Sequence, residues 1–332
     1  MPGPYIASKS KQRGSPMRTI TALFVGLGSI GTRHLKNLTN LCADRGWTLQ
    51  ADALRSDLSR PLRDGVAALL HAQYTDLADA PAHYDMVFIT NPTSLHADAL
   101  TRVRGRGGAL FIEKPIFSAE QTGLDLADCL PAGQKAYVAA PMRWCGVMLA
   151  LKDRLPGLHP YCARVICSSY LPDWRPGVDY RTVYSAHKAM GGGVTIDLIH
   201  EWDYLVELFG VPEKLYNFKG TYSDLEIDSD DLSVYIARYP TLLAEVHLDY
   251  FGRGYRRSIE LFCHDGSYLA DFGAGTLTLP DGTVQHYEED VNERYLREMN
   301  YFLDYAAGEE TESLNPPATA LQVLKLTLGE QQ

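Results

Sequence analysis

The glycines at positions 26, 28 and 31 are the first residues whose spacing suggests a chemical role. They belong to a GxGxxG run that follows an apolar, strand-like stretch and opens a helix-like one. In that setting the first glycine permits a tight turn, the second lets the backbone approach a pyrophosphate, and the third lets helix and strand pack closely. The free N–H groups at the helix start would face the phosphates. A glycine turn without a ligand is the alternative, but the surrounding strand–helix alternation favours dinucleotide binding. The expected contacts are Gly26, Gly28, Ser29, Ile30 and Gly31.

The end of the second predicted strand, residues 48–54, decides between NAD and NADP. NAD-binding proteins usually place an acid there for the ribose 2′-hydroxyl. A strand that ends at Asp52 favours NAD, whereas a strand that ends near Leu54 presents Arg55 and Ser56. Arg55 would hold a 2′-phosphate, so we favour NADP slightly over NAD. The alternative is that Arg55 is an ordinary solvated side chain.

Lys114 is a candidate charge-stabilising residue at the end of a predicted strand. In a doubly wound sheet, the carboxyl ends of the strands form the ligand crevice. Pro115 fixes the local backbone, and we expect the bond before it to be cis. The alternative is that Lys114 is only a surface charge.

Asp197 and His200 lie on one strong helix predicted over residues 194–209, and an exposed His beside an Asp is a reasonable proton-transfer pair. An apolar stripe runs along this helix, with Asp197, His200, Glu201 and Tyr204 on the other face. Periodicity alone therefore favours a solvated face. The glycines at 191–193 favour a ligand instead, because they leave a bare approach to the helix start.

The loop over residues 172–193 is rich in aromatic and basic side chains. Such side chains suit a sugar face together with a carboxylate or phosphate, so we expect an anionic substrate such as a uronic acid or a nucleotide sugar. An ordinary surface loop with oligomer contacts is an equally weighted alternative. The predicted substrate contacts in this loop are Trp174, Arg175, Tyr180, Arg181 and Tyr184; the loop also carries His187 and Lys188.

The elements that position these residues alternate between strand and helix up to about residue 142. A first strand is predicted within residues 18–30, at the apolar run 22–25. Further strands are predicted at 48–54, around Tyr74, at 86–90, within 109–115 and at 135–141, and helices over 32–44, 94–104 and 118–129. This alternation predicts a Rossmann-like, doubly wound parallel sheet over residues 18–142.

The pattern changes after that sheet. A helix near 146–155 and a strand over 163–171 precede the loop, and a strand-rich stretch follows the helix over 194–209. Turns at Pro240-Thr241, Gly252-Arg253-Gly254, Asp265-Gly266 and Asp281-Gly282 separate these strands and predict a large, mostly antiparallel sheet. Helices return at about 291–307 and 317–328. We therefore expect an α/β substrate and oligomerisation domain over residues 143–315 and a C-terminal helix over 316–332 that packs back on the first domain.

Composition limits the classes of function. The 332-residue chain carries a net charge of −10, which disfavours nucleic acid and anionic membranes as partners. The ten His form no HExxH cluster and no GxSxG elbow occurs, so we expect neither a metal site nor a hydrolase. The six Cys include no CxxC pair and are expected to be buried or partly buried thiols. Residues 1–17 lack an apolar signal core and are expected to be a flexible extension, with Met17 as a second candidate start, and the protein to be cytoplasmic.

Three further motifs, in this order and spacing, carry a family resemblance: Asn91-Pro92-Thr93-Ser94-Leu95-His96, Glu113-Lys114-Pro115 and Gly191-Gly192-Gly193. Together with the GxGxxG run they resemble the glucose–fructose oxidoreductase / inositol dehydrogenase / MocA (Gfo/Idh/MocA) family, over about residues 18–325. The resemblance implies an N-terminal Rossmann domain and a C-terminal α/β domain whose large open sheet commonly forms the interface of a homodimer or homotetramer.

The resemblance also implies functional residues. Lys114, Asp197 and His200 would be catalytic, and Arg143 would contact the substrate. Further cofactor contacts would come from Asn91, Pro92, Thr93, His96, Glu113 and Lys114. Two departures weaken this transfer: the step from Asp197 to His200 is three residues where many relatives have a longer one, and the Asn that relatives often carry shortly before Arg143 is missing.

The resulting hypothesis is hydride transfer between NAD or NADP and a carbon–oxygen centre of a sugar, sugar acid, nucleotide sugar or inositol. His200 would take or give the hydroxyl proton, Lys114 would stabilise the charge on the same oxygen, and Asp197 would orient a substrate hydroxyl or the His. Two alternatives stay open: a biliverdin-reductase-like reductase of a non-sugar substrate, and a catalytically inactive NAD(P)-binding sensor or scaffold.

Overall fold

The computed structural model describes residues 18–63 and 65–330, so the predicted N-terminal extension lies outside the described residues. The chain divides into two compact units. Among the described residues, the first comprises those from 18 to 139 and Tyr295–Leu321, and the second comprises Ala140–Arg294 and residues 322–330. The predicted domains divide at nearly the same place, residue 142, but they assigned residues 295–315 to the second domain.

The first unit contains a six-stranded parallel sheet in the order β3-β2-β1-β4-β5-β6. Its central strands are buried on both faces because their residues are largely apolar, as parallel sheets require. The predicted doubly wound sheet is confirmed. The strands are β1 Thr19–Val25, β2 Thr48–Leu54, β3 Ala72–Tyr74, β4 Tyr84–Ile89, β5 Gly107–Ile112 and β6 Lys135–Val138.

Three helices follow strands in this unit: α1 Ser29–Asp44, α2 His96–Arg102 and α3 Leu126–Cys129. The helix predicted over 118–129 is wrong in extent, since a short 3-10 turn over Ala119–Gln121 and a break at Gly123 precede α3. Stacked aromatic rings fill the core beside the sheet. Phe24 stacks on Phe88 with ring centroids 4.4 Å apart.

The second unit contains an eight-stranded sheet in the order β14-β13-β12-β11-β7-β10-β9-β8. All neighbours are antiparallel except β7 and β10, so the predicted mostly antiparallel sheet is confirmed. The strands are β7 Cys162–Tyr170, β8 Lys214–Gly220, β9 Leu232–Arg238, β10 Leu243–Asp249, β11 Phe251–Cys263, β12 Gly266–Asp271, β13 Thr276–Thr278 and β14 Val284–His286.

The helices of this unit are α4 Gly146–Arg154, α5 Val194–Asp197 and α6 His200–Phe209. The single helix predicted over 194–209 is therefore wrong, because the chain leaves the α-helical path at Leu198, between α5 and α6. The apolar stripe hid this break, because it continues through both helices. Trp202 of α6 packs edge-to-face on Tyr235 of β9, with ring centroids 5.2 Å apart.

Two C-terminal helices complete the fold: α7 Val291–Ala307 and α8 Pro317–Thr327. Within the first unit, Arg45 pairs with Asp304 of α7 at 2.7 Å. The last residues of α8 belong to the second unit, where Tyr235 donates to the carbonyl of Thr327 at 2.6 Å. The first residues of α8, up to Leu321, belong to the first unit. That residues 316–332 pack back on the first domain stays a prediction.

Two further expectations concern membranes and redox state. None of the helices in residues 18–63 and 65–330 is long and apolar enough to cross a membrane. All six cysteines are free thiols, four of them buried and two half-buried, which confirms the prediction.

Candidate functional site

The three glycines in the turn between β1 and α1 differ in whether the fold requires glycine at their positions. Gly26 has φ +88°, and a Cβ there would lie 2.8 Å from Cα of Asn91. Backbone in this region of φ favours glycine. A Cβ at Gly31 would lie 2.7 Å from the Gly26 carbonyl oxygen and from Thr90 Oγ1, so this glycine lets the helix approach the strands. A Cβ at Gly28 would meet no atom of the described residues within 4 Å, so packing within the folded chain does not require glycine there.

The N-terminus of α1 is suited to an anion. Gly28 and Ser29 are exposed, Ile30 is half-buried, and no side chain of the described residues caps the helix. The first turn carries no acidic residue, and the helix is 16 residues long. The N–H groups at the start of such a helix, together with its dipole, attract phosphate. The open space at Gly28 and the uncapped N-terminus of α1 both favour an anion-binding site.

The loop after β4 borders this turn, since Asn91 approaches Gly26. Pro92 is exposed and Thr93 is half-buried. His96 differs, because it is buried and its ring nitrogens face the carbonyl oxygens of Asn91 at 3.0 Å and Ile116 at 3.1 Å. Burial lowers the pKa of His96. The structure therefore places His96 as a brace between two loops rather than as a cofactor contact.

The end of β2 presents Arg55 and Ser56, because the strand runs to Leu54. Arg55 donates to Gln73 at 2.8 Å and to the carbonyl of Arg60. Asp52 is buried, and its carboxylate accepts from the hydroxyl of Tyr84 at 2.8 Å and faces His71 at 3.1 Å. Asp52 is thus held inside the sheet and not at the strand tip.

Glu113 forms a buried pair with His34 of α1. The Glu113 Oε1 and His34 Nε2 atoms are 2.5 Å apart, and the other carboxylate oxygen accepts from the backbone N–H of Lys114. Burial raises the pKa of Glu113, but the His34 ring and the Lys114 charge outweigh it, so the pKa is lowered from its ordinary value. Glu113 therefore fastens the end of β5 to α1, and its contact with the cofactor remains a prediction.

Lys114 is half-buried at the carboxyl end of β5, and the bond between Lys114 and Pro115 is cis, as expected. The end of a central strand in a parallel sheet is where ligands bind in open α/β folds. Lys114 lies in the first unit, whereas Asp197 and His200 lie in the second.

Asp197 is the centre of a hydroxyl cluster in the second unit. Its Oδ1 accepts from Tyr184 at 2.7 Å, and its Oδ2 accepts from Ser185 and Tyr250, each at 2.6 Å. The carboxylate is buried and held by groups from the loop and from the end of β10. The structure thus brings Tyr184, a predicted substrate contact, to a predicted catalytic residue.

His200 is half-buried at the first position of α6. The next polar residues of this helix are not solvated, so the solvated-face interpretation is wrong. Glu201 is buried and pairs with Arg257 of β11 at 2.7 Å, and Tyr204 is fully buried. Ionic contacts to a sheet strand thus fix the start of the helix that carries His200.

Arg143 is also buried, and it pairs with α6. It donates to both carboxylate oxygens of Asp203, at 2.7 and 2.8 Å, and lies 3.3 Å from Glu207. Two carboxylates around one buried guanidinium form a structural ion cluster. The predicted substrate contact of Arg143 therefore receives no support from this placement.

The remaining candidates lie along the loop, which is built from short 3-10 turns. Trp174 donates its ring N–H to Ser169 at 3.0 Å, and Arg175 lies 5.9 Å over the ring of Tyr184. Arg181 is paired with Asp179 and with Glu226. The Tyr180 hydroxyl accepts from the backbone of Glu226. Arg175 and Tyr184 therefore lie together, while Tyr180 and Arg181 attach to an acidic loop.

The glycines before α5 have a local explanation. Gly191 and Gly193 have positive φ, and Gly192 packs directly against the carbonyl oxygens of Tyr184 and Ser185. A Cβ at Gly193 would clash with the carboxylate of Asp230. At Gly192 and Gly193, the space that was expected to admit a ligand is thus filled by the chain itself.

Sequence reasoning missed His34, Ser185 and Tyr250. His34 follows Gly31 by three residues, so its position on the buried face of α1 could have been read from helical spacing. Tyr250 is 53 residues from Asp197 along the chain, and no local pattern joins them.

Comparison with known proteins supports the assignment of the first unit as a dinucleotide-binding domain. Residues 20–138 match the family model described as an oxidoreductase family with an NAD-binding Rossmann fold, GFO_IDH_MocA. Over this part of the chain, the match confirms the resemblance to the Gfo/Idh/MocA family that the motifs indicated. No curated protein sequence matches the chain.

Solved structures share the fold over nearly the whole chain. The WlbA dehydrogenase from Bordetella pertussis, in complex with NADH and UDP-GlcNAcA, is 19% identical, with 94% of this chain and 95% of that chain covered and a TM-score of 0.73. A levoglucosan dehydrogenase in complex with NADH and levoglucosan is 16% identical, with 94% and 96% covered and a TM-score of 0.77. Apo scyllo-inositol dehydrogenase from Lactobacillus casei is 17% identical, with 95% and 96% covered and a TM-score of 0.71. At these identities, the likeness shows the fold.

Proposed function

We propose that this protein is a nicotinamide-dependent dehydrogenase or reductase that acts on a CH–OH group of a sugar-like substrate. The observation that carries the proposal is the turn from Gly26 to Gly31, with its open space at Gly28 before a helix that no described side chain caps. These residues fit a dinucleotide pyrophosphate, because backbone N–H groups and the helix dipole would meet its charge. The similar folds of WlbA and levoglucosan dehydrogenase, named with NADH and a sugar ligand, support the substrate class.

The side chains divide the chemistry between them. The nicotinamide ring, when bound, supplies the site that accepts or donates the hydride. Lys114 donates a hydrogen bond to the substrate oxygen and stabilises the negative charge that develops there. His200 takes or gives the hydroxyl proton. Asp197 positions neighbouring hydroxyl groups, as its three contacts favour.

NADP is the proposed preference. Arg55 and Ser56 stand at the tip of β2, and Asp52, the acid that would favour NAD, is buried in contacts with Tyr84 and His71. A guanidinium and a hydroxyl suit a 2′-phosphate. The WlbA and levoglucosan dehydrogenase structures contain NADH, so this preference would set the chain apart from those two proteins.

The open face of the second sheet is the proposed contact between copies of the chain. Tyr216 and Phe218 of β8 are exposed beside their cross-strand partners Ile236 and Val234 of β9. Exposed apolar side chains on a sheet face favour association. A Phe218→Glu variant should shift the solution mass, measured by light scattering, from a dimer or tetramer to a single chain.

A turnover screen on the purified protein tests the activity. Inositols, aldoses, uronic acids and nucleotide sugars are offered with each oxidised and reduced cofactor, and absorbance of the reduced nicotinamide is followed. Lys114→Ala should lower kcat on the best compound by about 100-fold or more, since one lost stabilising donor has that effect. Lys36→Ala, at an exposed lysine of α1, serves as the control. Full turnover in Lys114→Ala would contradict the assigned role.

A further inference from the structure

Asp197 has little capacity left for a substrate. A carboxylate offers about four lone-pair positions. Hydroxyl groups of Tyr184, Ser185 and Tyr250 donate to it at 2.7, 2.6 and 2.6 Å, which occupies most of them. The residue is only 8% exposed. Direct contact between Asp197 and a substrate hydroxyl would compete with these hydrogen bonds.

Of the three hydroxyl donors, Tyr184 alone is exposed. Tyr184 is 41% exposed, whereas Ser185 is 2% and Tyr250 is 0% exposed. Tyr184 lies in the loop, and its ring forms part of the surface while its hydroxyl holds Asp197. It is therefore the member of the cluster that a ligand could reach.

The chemistry of the Tyr184 hydroxyl is fixed by this arrangement. Burial raises the pKa of Tyr184, and the charge of Asp197 raises it further, so the phenol keeps its proton at ordinary pH. That proton is donated to Asp197. The phenol oxygen has two lone pairs, beside which the Ser185 hydroxyl also lies. Toward a ligand, Tyr184 is therefore a hydrogen-bond acceptor whose natural partner is a hydroxyl group.

Arg175 places a positive charge beside the same ring. Its guanidinium carbon lies 5.9 Å from the centroid of Tyr184. That distance is within the range of a cation–π contact. Within residues 18–63 and 65–330, Arg175 has no salt bridge to a carboxylate, whereas Arg181 has two. Arg175 therefore retains its charge for a ligand, and Arg181 is largely neutralised.

Trp174 adds an aromatic surface next to Arg175. Its ring N–H is fixed on Ser169, and its ring meets that of Tyr250 edge-on with centroids 5.2 Å apart. The side chain is 37% exposed, so part of this surface faces solvent. Aromatic surfaces of this kind suit the C–H face of a sugar ring.

We infer that Trp174, Arg175 and Tyr184 form a specificity subsite for a hydroxylated ring that bears an acidic group, and that Asp197 acts through Tyr184 as a positioning residue. Tyr184 accepts a hydrogen bond from a ring hydroxyl, and Arg175 pairs with the carboxylate or phosphate. The inference rests on the proposed function, because it names the substrate class of that activity. In this subsite, Trp174 supplies an aromatic surface, Arg175 a positive charge and Tyr184 a hydrogen-bond acceptor.

The test measures equilibrium binding on the full chain by titration calorimetry, with D-glucuronate and D-glucose as probes and UDP-glucuronate as a larger acidic probe. The wild-type protein should bind the acidic probes more tightly than D-glucose. Tyr184→Phe keeps the ring and should weaken binding of both sugars by about ten-fold, the usual effect of one lost hydrogen bond. Arg175→Gln should weaken the acidic probes alone. Tyr161→Phe and Arg238→Gln, at exposed positions away from the loop, are matched controls.

Asp197→Asn distinguishes a positioning role from direct contact. If Asp197 acts through Tyr184, then the double variant Asp197→Asn/Tyr184→Phe should bind no more weakly than the worse single variant. Effects that multiply would show that Asp197 contacts the ligand independently and would overturn this part of the inference. Circular dichroism and the melting temperature verify that each variant is folded.

Three further outcomes separate the inference from the proposed function. Probe binding that responds to Tyr184 and Arg175 as expected, without hydride transfer to any compound, supports the subsite and contradicts the dehydrogenase. Turnover with kcat and KM unchanged in Tyr184→Phe supports the dehydrogenase and overturns the subsite. No binding of any probe by the wild-type protein at millimolar concentration also overturns the subsite.

Discussion

Two glycine-rich turns lead into helices in this protein, and they serve opposite purposes. In the first unit, Gly28 faces space that no described residue fills. In the second unit, Gly192 packs against the carbonyl oxygens of Tyr184 and Ser185, and Gly193 packs against Asp230. The sequence suggested a ligand approach at both turns. The two kinds of glycine are distinguished by what a Cβ atom would meet. At a glycine that serves a ligand it would meet open space, and at a glycine that serves packing it would meet other atoms of the chain.

The largest predicted effect tests the packed turn. Gly192→Ala would drive a Cβ into two backbone carbonyl groups that cannot move aside freely. We expect the free energy of unfolding to fall by more than about 3 kcal/mol, at the upper end for overpacking. Urea denaturation followed by circular dichroism measures it.

Gly191→Ala is the control for that substitution. Gly191 has φ +81°, and a Cβ there would meet no described atom within 4 Å. Left-handed backbone costs a residue with a side chain about 1–2 kcal/mol, so a loss of that size is expected. If Gly192→Ala were no more destabilising than Gly191→Ala, close packing would not be the reason for a glycine at position 192.

The second prediction concerns the buried pair that fastens β5 to α1. The pKa of Glu113 lies below its ordinary value of 4.5. Ionised Glu113 therefore stabilises the fold above that pH, and the stabilisation is lost as pH falls through the lowered pKa. Glu113→Gln should lose about 1–3 kcal/mol at pH 7, as for a hydrogen bond to a charged group. The difference in the free energy of unfolding between Glu113→Gln and the wild-type protein should become smaller below about pH 4.5.

Urea midpoints measured from about pH 7 to about pH 3 give this comparison. Glu120→Gln, at an exposed carboxylate of the same unit, is the control. A gap that stays constant over the whole range would show that the Glu113 charge does not stabilise the first unit.

The third prediction tests the open turn directly. Gly28 has an ordinary φ of −70° and free space for a Cβ. The free energy of unfolding of Gly28→Ala should therefore change by less than about 1 kcal/mol. Affinity for the dinucleotide should nonetheless fall by about ten-fold or more, because the methyl group occupies the pyrophosphate approach. Fluorescence titration with NADH and NADPH measures it.

Gly123→Ala is the matched control, since Gly123 lies in the same unit and also faces open space among the described residues. Equal affinities in wild type and Gly28→Ala would remove the functional reason for this glycine, and the two turns would no longer differ in purpose.

The smallest predicted effect concerns the neighbouring strand tip. Arg55→Gln should weaken NADPH binding by about five- to ten-fold, about 1 kcal/mol, and leave NADH binding unchanged, because only NADPH carries the 2′-phosphate. Arg102→Gln, at an exposed arginine of α2, is the control. Equal losses for both cofactors would indicate that Arg55 supports the loop through Gln73 rather than reading the phosphate.

The first unit was readable from its sequence because its signals are local. Apolar runs that end in glycine predicted β1 and its turn, and the limits of β2 were predicted to the residue. Parallel strands then bring the ends of β1, β4 and β5 to one edge of the sheet, so Gly26, Asn91 and Lys114 followed from topology.

The second unit was harder because its polar contacts join distant segments. Helical periodicity placed Glu201 on a solvated face, but Arg257 from β11 buries it. Arg143 matched a family position, yet Asp203 and Glu207 surround it. The break at Leu198 was hidden by an apolar stripe that continues across it. Periodicity reports which side chains are apolar, and it does not report which partner a charged side chain meets.

The measurement that tests the central claim most directly is a fluorescence titration of the wild-type protein with NADH and with NADPH. We expect saturable binding of a reduced nicotinamide dinucleotide, with a higher affinity for NADPH than for NADH. Saturable binding of NADH alone would move the preference to NAD and leave the open turn at Gly28 as the binding site. Binding of neither dinucleotide would contradict the claim that this turn holds a cofactor.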